Sequence, residues 1–359
     1  MTAPGRVLEH VAAEIDVDTY ARFGDSFSVY HSLRYNCCYS YKEESANFSS
    51  NVQMFQQDLK ARSGNQVLSS AMAGNPGDAI EAGIRLWSGC TLEKNQDRAM
   101  EWWVRVALDK HSSGTPAPRR LRVHALSCLA YAQWELKTLP DDEPGVWNID
   151  SVYRAAVFAD DCVSLGFVSP IVLQIGAKIR ELMKVPQIPE ARHPRFKNLE
   201  FLWEAIDARD KEVQKAKQKR DTKVARAPTA YVCAAKGCGI EGTRKSALLK
   251  CAGKCPPEMK PSYCSKECQK ADWKRHKPVC IGKSKDAVNQ PASPTASRDI
   301  TSVSDDIDLP LRTDGREVSI EVPNPQGGST MMTTRTLEPR VLRDIRELAE
   351  QRALEKQAL

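Results

Sequence analysis

A mainly α-helical chain carrying a small metal-dependent module is predicted by three observations. Apolar residues recur at helical spacing from about residue 66 to 184, the chain becomes almost wholly charged after Lys211, and seven cysteines with one histidine crowd between Cys233 and Cys280. The 359 residues suffice for about two or three domains. A 41% hydrophobic share supports a core, whereas 27% charge and a mean hydropathy of −0.48 place part of the length outside one. No stretch approaches the ~18 apolar residues of a membrane span, and no N-terminal run reads as a secretory leader. The expectation is a soluble, intracellular protein, cytoplasmic or nuclear, with no membrane partner.

Residues 1–65 hold Tyr20, Phe23, Phe27, Tyr30, Tyr35, Tyr39 and Tyr41 without sustained alternation. They are expected to form short helices and irregular segments packed on the next domain. That helical, repeat-like domain is placed at 66–194. Ala79, Ile80, Gly83, Ile84 and Leu86 form one stripe; Ala99, Trp102, Trp103 and Val106 form the next, capped by Asn95. Val123, Leu126, Leu129 and Ala130 continue the pattern, Asp150 or Ser151 caps a helix bearing Val152, Ala155, Ala156 and Ala159, and Pro170 opens a helix through Val172, Ile175 and Ile179. Residues 195–228 read as a charged helix or linker, a solvated spacer in which Lys217-Gln218-Lys219-Arg220 matches a short nuclear-import patch. The segment 284–335, rich in Ser, Thr, Asp and Pro, is expected to be disordered. At 337–358, Val341, Leu342, Ile345, Leu348 and Leu354 predict an amphipathic helix.

The run Leu86-x2-Gly89 followed by Arg98-Ala99-x2-Trp102-Trp103-x2-Val106-Ala107 resembles one unit of the tetratricopeptide-like Sel-type repeats. A second, degenerate copy runs from Ala125 through Ala155-Ala156 to Gly166, and the loop after Gly89 lacks the Gly-Val and Asp of that family. The resemblance implies a stack of helix pairs.

The cysteine-rich module, at 231–282, pairs its ligands as Cys233-x4-Cys238, Cys251-x3-Cys255, Cys264-x3-Cys268 and His276-x3-Cys280. Eight such ligands match two closed tetrahedral zinc sites, and a segment this short and polar needs metal to fold. Seven cysteines would leave one thiol over in a disulfide scheme. Four protein ligands per metal leave no open position, so both Zn2+ ions are expected to be structural and not catalytic. Ser265 caps a helix that carries Cys268, Gln269, Asp272 and Trp273 and stops near His276. Pro278 disfavours helix at Lys277, so Cys280 is expected to reach the metal from a following turn.

Tyr263-Cys264-x3-Cys268-Gln269-x3-Trp273-x2-His276-x3-Cys280 resembles the MYND zinc finger, over Cys233 to Cys280. The family usually has x2 in its first two pairs, where this chain has x4 and x3. The resemblance implies interleaved ligation, with Cys233, Cys238, Cys264 and Cys268 on one zinc and Cys251, Cys255, His276 and Cys280 on the other. Spacing alone also permits sequential pairing. It further implies a protein-interaction module that takes short proline-containing peptides, with Gln269 and Trp273 at the positions of the peptide-contacting surface. Packing in the small core is the competing role for Trp273.

The expected function is therefore a non-enzymatic adaptor that binds other proteins through peptide motifs and has no small-molecule substrate. One alternative is a nucleic-acid-associated regulatory protein using the basic stretch 211–283. Residues 231–283 hold twelve Lys or Arg against four Asp or Glu, and seven thiolates with two zinc ions lower that +8 to about +5. Such a charge gives weak, salt-sensitive binding, with no recognition helix or aromatic platform beside it. Another alternative is a lysine methyltransferase of the SET class with a MYND insert. Against it, the finger lies late in the chain and no Asn-His-Ser-Cys-like motif follows.

Overall fold

The computed structural model describes residues 24–42, 48–108, 116–136, 148–184, 193–280, 314–323 and 329–357. Two compact units divide the chain, residues 2–213 and 214–359, and the cut falls within one helix. No described helix is long and apolar enough to cross a membrane.

The first unit is helical throughout. It contains α1 (Asp25–Cys38), α2 (Phe48–Ala61), α3 (Gly64–Met72), α4 (Pro76–Ser88), α5 (Gln96–Ala107), α6 (Arg119–Glu135), α7 (Ile149–Ser164), α8 (Pro170–Leu182), the single turn α9 (Pro194–Lys197) and the start of α10 (Glu200–Arg226). From α3 to α8 each helix packs on the next, and α1 lies against α4, α6 and α8. Local signals set the starts. Ser63 and Gln66 form a capping box on α3, Asn75 accepts from Gly77 and Asp78 N–H ahead of Pro76, and Asn95 accepts from Arg98 N–H. The α7 cap is Asn148, whose Oδ1 accepts from Ser151 N–H at 3.1 Å, and not Asp150 or Ser151. Asp150 lies instead in the first turn, where its charge complements the helix dipole.

Residues 25–61 differ from the short-helix expectation, since α1 and α2 each span 14 residues. Phe27, Tyr30 and His31 of α1 and Phe55 of α2 form a buried aromatic cluster. Its helical period is masked in the sequence because His31 and Arg34 share the inward face with the aromatics. A polar network ties α1, α2 and α4 together. The Tyr30 hydroxyl donates to Glu81 Oε1 at 2.7 Å, Arg34 Nη1 donates to Asp58 Oδ2 at 2.8 Å, and Arg85 Nε donates to Glu81 Oε1 at 2.8 Å. Arg85 is 1% exposed, and its Nη1 also donates to the Arg62 carbonyl, so the buried charge is both paired and hydrogen-bonded.

On α4 and α5 the packing is tightest where Gly83 meets the Trp103 indole. Trp103 Nε1 donates to the Ile80 carbonyl at 3.2 Å, and its ring lies 5.8 Å from Trp87. A methyl group at position 83 would occupy the space of the indole. The five cysteines of this unit are free thiols, four of them buried, and burial pushes the thiols of Cys37, Cys128 and Cys162 up, away from reactivity.

The second unit contains the end of α10, α11 (Pro228–Tyr231), β1 (Ile240–Gly242), β2 (Leu249–Lys250), a 3-10 turn (Pro257–Met259), β3 (Ser262–Tyr263), α12 (Lys266–Cys280), β4 (Val318–Pro323), β5 (Ser329–Thr334) and α13 (Pro339–Gln357). Strands β2 and β3 pair antiparallel, Leu249 opposite Tyr263. A second antiparallel sheet has the order β1-β4-β5, with Ile240 opposite Ile320 and Ile320 opposite Met332.

That sheet corrects the expectation of disorder across 284–335. Residues 284–313 lie outside the described residues, but 318–323 and 329–334 are strands. Val318 and Ile320 turn inward and are fully buried, while Ser319 on the other face bonds Thr333 at 2.8 Å. Ser319 is itself buried between them, so the strand is covered without a run of apolar residues to announce it, and threonine is a good strand former. Helix α12 brings a further correction. It runs through Pro278 to Cys280 and does not stop near His276. Proline removes one backbone donor, but the helical turn sets His276 and Cys280 four residues apart on one face, where both reach the same cluster.

Two predictions concern the first unit. Gly83→Ala should lower its denaturation midpoint by the equivalent of about 1–3 kcal/mol, read from tryptophan fluorescence in a Trp273→Phe background; an unchanged midpoint would show that the indole yields. The second is a pH dependence. Burial, with Arg34 nearby, pushes His31 down to about 4 from its ordinary 6.5. The unfolded chain therefore takes up the proton first. The neutral ring's contribution is complete above about pH 6.5 and is lost as pH falls towards 4, on the order of 3 kcal/mol in total. His31→Phe should flatten part of that decline, leaving the part from His124, which burial also pushes down to about 4.

Candidate metal centre and recognition face

The ligands converge because short elements return the chain to two points. Cys233 follows α11, and its N–H donates to the Ile240 carbonyl at 2.9 Å while Ala234 N–H donates to Ser262. A tight turn brings Cys238 N–H to the Ala235 carbonyl at 3.1 Å. The antiparallel β2–β3 pair then sets Cys251, just after β2, and Cys264, just after β3, at its two opposite ends, one for each group, and Cys251 N–H donates to the Pro261 carbonyl at 3.0 Å. Helix α12 supplies Cys268, His276 and Cys280, with Ser265 Oγ accepting from Cys268 N–H at 3.3 Å.

Two four-ligand groups result, Cys233 with Cys238, Cys264 and Cys268, and Cys251 with Cys255, His276 and Cys280. Within each group the ligand atoms all lie within 4.8 Å of one another, and every ligand is buried. The chain thus pairs first with third and second with fourth, and the sequential alternative is not formed. In the first group Cys238 and Cys264 Sγ are 3.5 Å apart, as are Cys264 and Cys268, and Cys238 and Cys268 are 3.7 Å apart. In the second, Cys251 and Cys280 Sγ are 3.7 Å apart, and His276 Nε2 lies 3.3 Å from both Cys251 and Cys255 Sγ.

These separations fit zinc. A Zn–S bond of ~2.3 Å sets the sulfurs of a tetrahedron ~3.8 Å apart. The donor set agrees as well, four thiolates in one group and three with an imidazole in the other, the soft ligands that structural zinc takes. With zinc bound, the all-thiolate group carries a net charge of −2 and the imidazole-containing group −1. Gly253 lies so close to the second group that a side chain there would meet Cys280 Sγ, and its N–H donates to Cys251 Sγ at 3.4 Å.

A polar network centred on the buried carboxylate of Asp272 fixes α12 against the rest of the finger. The Tyr263 hydroxyl donates to Asp272 Oδ2 at 2.9 Å. Arg275 grips the same carboxylate with Nε at 2.7 Å and Nη2 at 3.0 Å, and Nη2 also donates to the Ala234 carbonyl at 2.8 Å. Burial and the Asp272 charge together push the Tyr263 phenol well above its ordinary range. The only sequence signal of this network is an acid and a base three apart on a helix, a pattern too common to single out.

The other two candidates lie on α12 but bind no metal. Trp273 is 40% exposed, edge-on to the His276 ring at 6.0 Å, whereas Tyr263 is fully buried. The packing role weighed for Trp273 thus falls to Tyr263. Gln269 is half-buried, and its carboxamide makes no hydrogen bond among the described residues. Lys266, Lys270, Lys274 and Lys277 are exposed around them.

The family model of the MYND finger matches residues 233–280. No curated protein and no solved structure matched the chain. Gly253→Ala should selectively disturb the imidazole-containing group, so native mass spectrometry should count fewer than the two zinc ions expected per wild-type chain; full occupancy in the variant would mean that the loop moves aside. The matched segment, the interleaved ligand groups and the zinc-like separations agree: residues 233–280 are a MYND zinc finger built on two zinc sites.

Proposed function

We propose that the chain is a non-enzymatic adaptor whose finger takes an extended, proline-containing segment of a partner protein across Gln269 and Trp273. The observation that carries this reading is the exposed indole of Trp273 on a metal-anchored helix. A large aromatic in water is costly to leave uncovered, and an indole face suits a proline ring. Gln269, one turn earlier, has a free carboxamide that can pair with the backbone of an extended peptide, which has donors and acceptors to spare. Both side chains ride on a helix held by ligands of both zinc sites, so the face is pre-organised and little entropy is lost on binding.

The absence of an enzymatic role belongs to the same proposal. Each zinc would be enclosed by four protein ligands, which leaves no position for substrate or activated water. The finger's usual role supports protein partners within the cell. The exposed basic residues of α10 from Lys211 to Lys223 favour a secondary, salt-sensitive attraction to polyanions.

Affinity purification with full-length wild type and Trp273→Ala tests the reading. Trp273→Ala should retain two zinc ions yet bind partners and a proline-containing peptide at least tenfold more weakly, as an aromatic anchor does. If Trp273→Ala keeps its partners while Cys264→Ser loses both zinc and partners, the recognition face lies elsewhere on the finger.

A further inference from the structure

The MYND match ends at Cys280, but the folded finger does not. Strand β4 pairs with β1 inside the matched segment, Ile240 opposite Ile320 and Gly242 opposite Val318. Val318, Ile320 and Leu342 are fully buried in the same apolar cluster as Cys233, Cys238, Cys264 and Tyr263. Two arginines of α13, three residues apart and so on one face, then reach the metal region. Arg343 Nη1 donates to Cys268 Sγ at 3.0 Å. Arg346 Nη1 donates to the Cys238 carbonyl at 3.1 Å and its Nη2 to the Gly237 carbonyl at 2.8 Å, bracing the turn that presents Cys238.

The attachment is one-sided. Both arginines address the all-thiolate group, and among the described residues none from 314 to 357 is hydrogen-bonded to a ligand of the imidazole-containing group. The asymmetry follows the charge, since four thiolates leave the first zinc complex at −2 against −1 for its neighbour. A guanidinium beside a thiolate offsets that excess in a region partly shielded from water, and a hydrogen bond to sulfur orients the ligand. Apolar docking through Leu342 fixes the helix so that the arginines need not search for their partners.

We propose that residues 314–323 and 329–357 form a clasp that makes the all-thiolate site a tighter zinc site than the matched segment alone could build, with Arg343 the positioning residue for Cys268 and Arg346 that for Cys238. The clasp lets the finger retain its first zinc against competing chelators and thiols, while the second site holds its metal independently of the clasp.

The test uses the full chain loaded with 113Cd, whose NMR resonances distinguish an all-sulfur environment from one with a nitrogen ligand, together with zinc release to a chromogenic chelator. In Arg343→Gln and Arg346→Gln the all-sulfur site should lose metal about tenfold faster than in wild type, with the mixed site unchanged. Arg343→Lys, which keeps the charge but not the forked geometry, should show a smaller loss confined to the all-sulfur site. Arg340→Gln, on an exposed position of the same helix, should match wild type. Release that changes equally at both sites in Arg343→Gln and Arg343→Lys, or at neither, overturns the proposal.

Discussion

Tetrahedral coordination is the constraint on which the finger depends. Each metal needs four ligands at fixed separations, and the chain supplies them in crossed order, so that the first site closes only when the Cys233–Cys238 turn, the end of β3 and α12 have met, and the second only when the segment after β2 has met the far end of α12. Few apolar side chains are available to bring them together, and structural zinc releases on the order of 10–16 kcal/mol in such modules. Several local features make sense only under this demand. Helix α12 continues through Pro278 in its last turn because His276 and Cys280 must share a face. Gly253 is bare because Cys280 Sγ fills the space beside it. Trp273 points outward because the inward positions of α12 are taken by ligands and by Asp272.

The helical unit obeys a different rule. Its stability comes from neighbour-on-neighbour burial of apolar faces, with the Tyr30, Glu81 and Arg85 network fixing how α1 and α4 meet. A buried arginine of this kind stabilises little by itself but penalises any packing that leaves it unpaired. The two units thus fail under different insults, acid and cavity changes in one, chelation in the other.

How much was legible depends on how far each signal reaches along the chain. The ligand spacing, the Asn95 cap and the stripe through Trp102 and Trp103 are local, and they could be read from neighbouring residues. The sequence points to Asp150 or Ser151 as the α7 cap, whereas the cap is Asn148; all three side chains cap well and only backbone geometry decides. Strand β4 was hidden for a different reason. Its inward face is Val318 and Ile320, with Val322 only partly buried, set among Ser, Glu and Pro, and its partner β1 is three residues long and ends in glycine. The pairing between Arg343 and Cys268 spans 75 positions, and nothing near either residue announces it. The crossed ligation came from family likeness, since both pairings satisfy the metal's valence.

The pairing of β1 with β4 also bears on the order in which the protein is made. Synthesis runs from the N-terminus, so the helical unit can complete its packing before any zinc ligand leaves the ribosome. All eight ligands are present once Cys280 has been added, yet the apolar cluster beneath them is incomplete until Leu342 arrives. At ~5–20 residues per second that interval is roughly 3–12 s. For those seconds the nascent finger has its ligands but lacks the neighbours of its first metal site, with the β1 edge uncovered. A chain released early, after Cys280 but before Leu342, would carry every ligand and still be held in that exposed state.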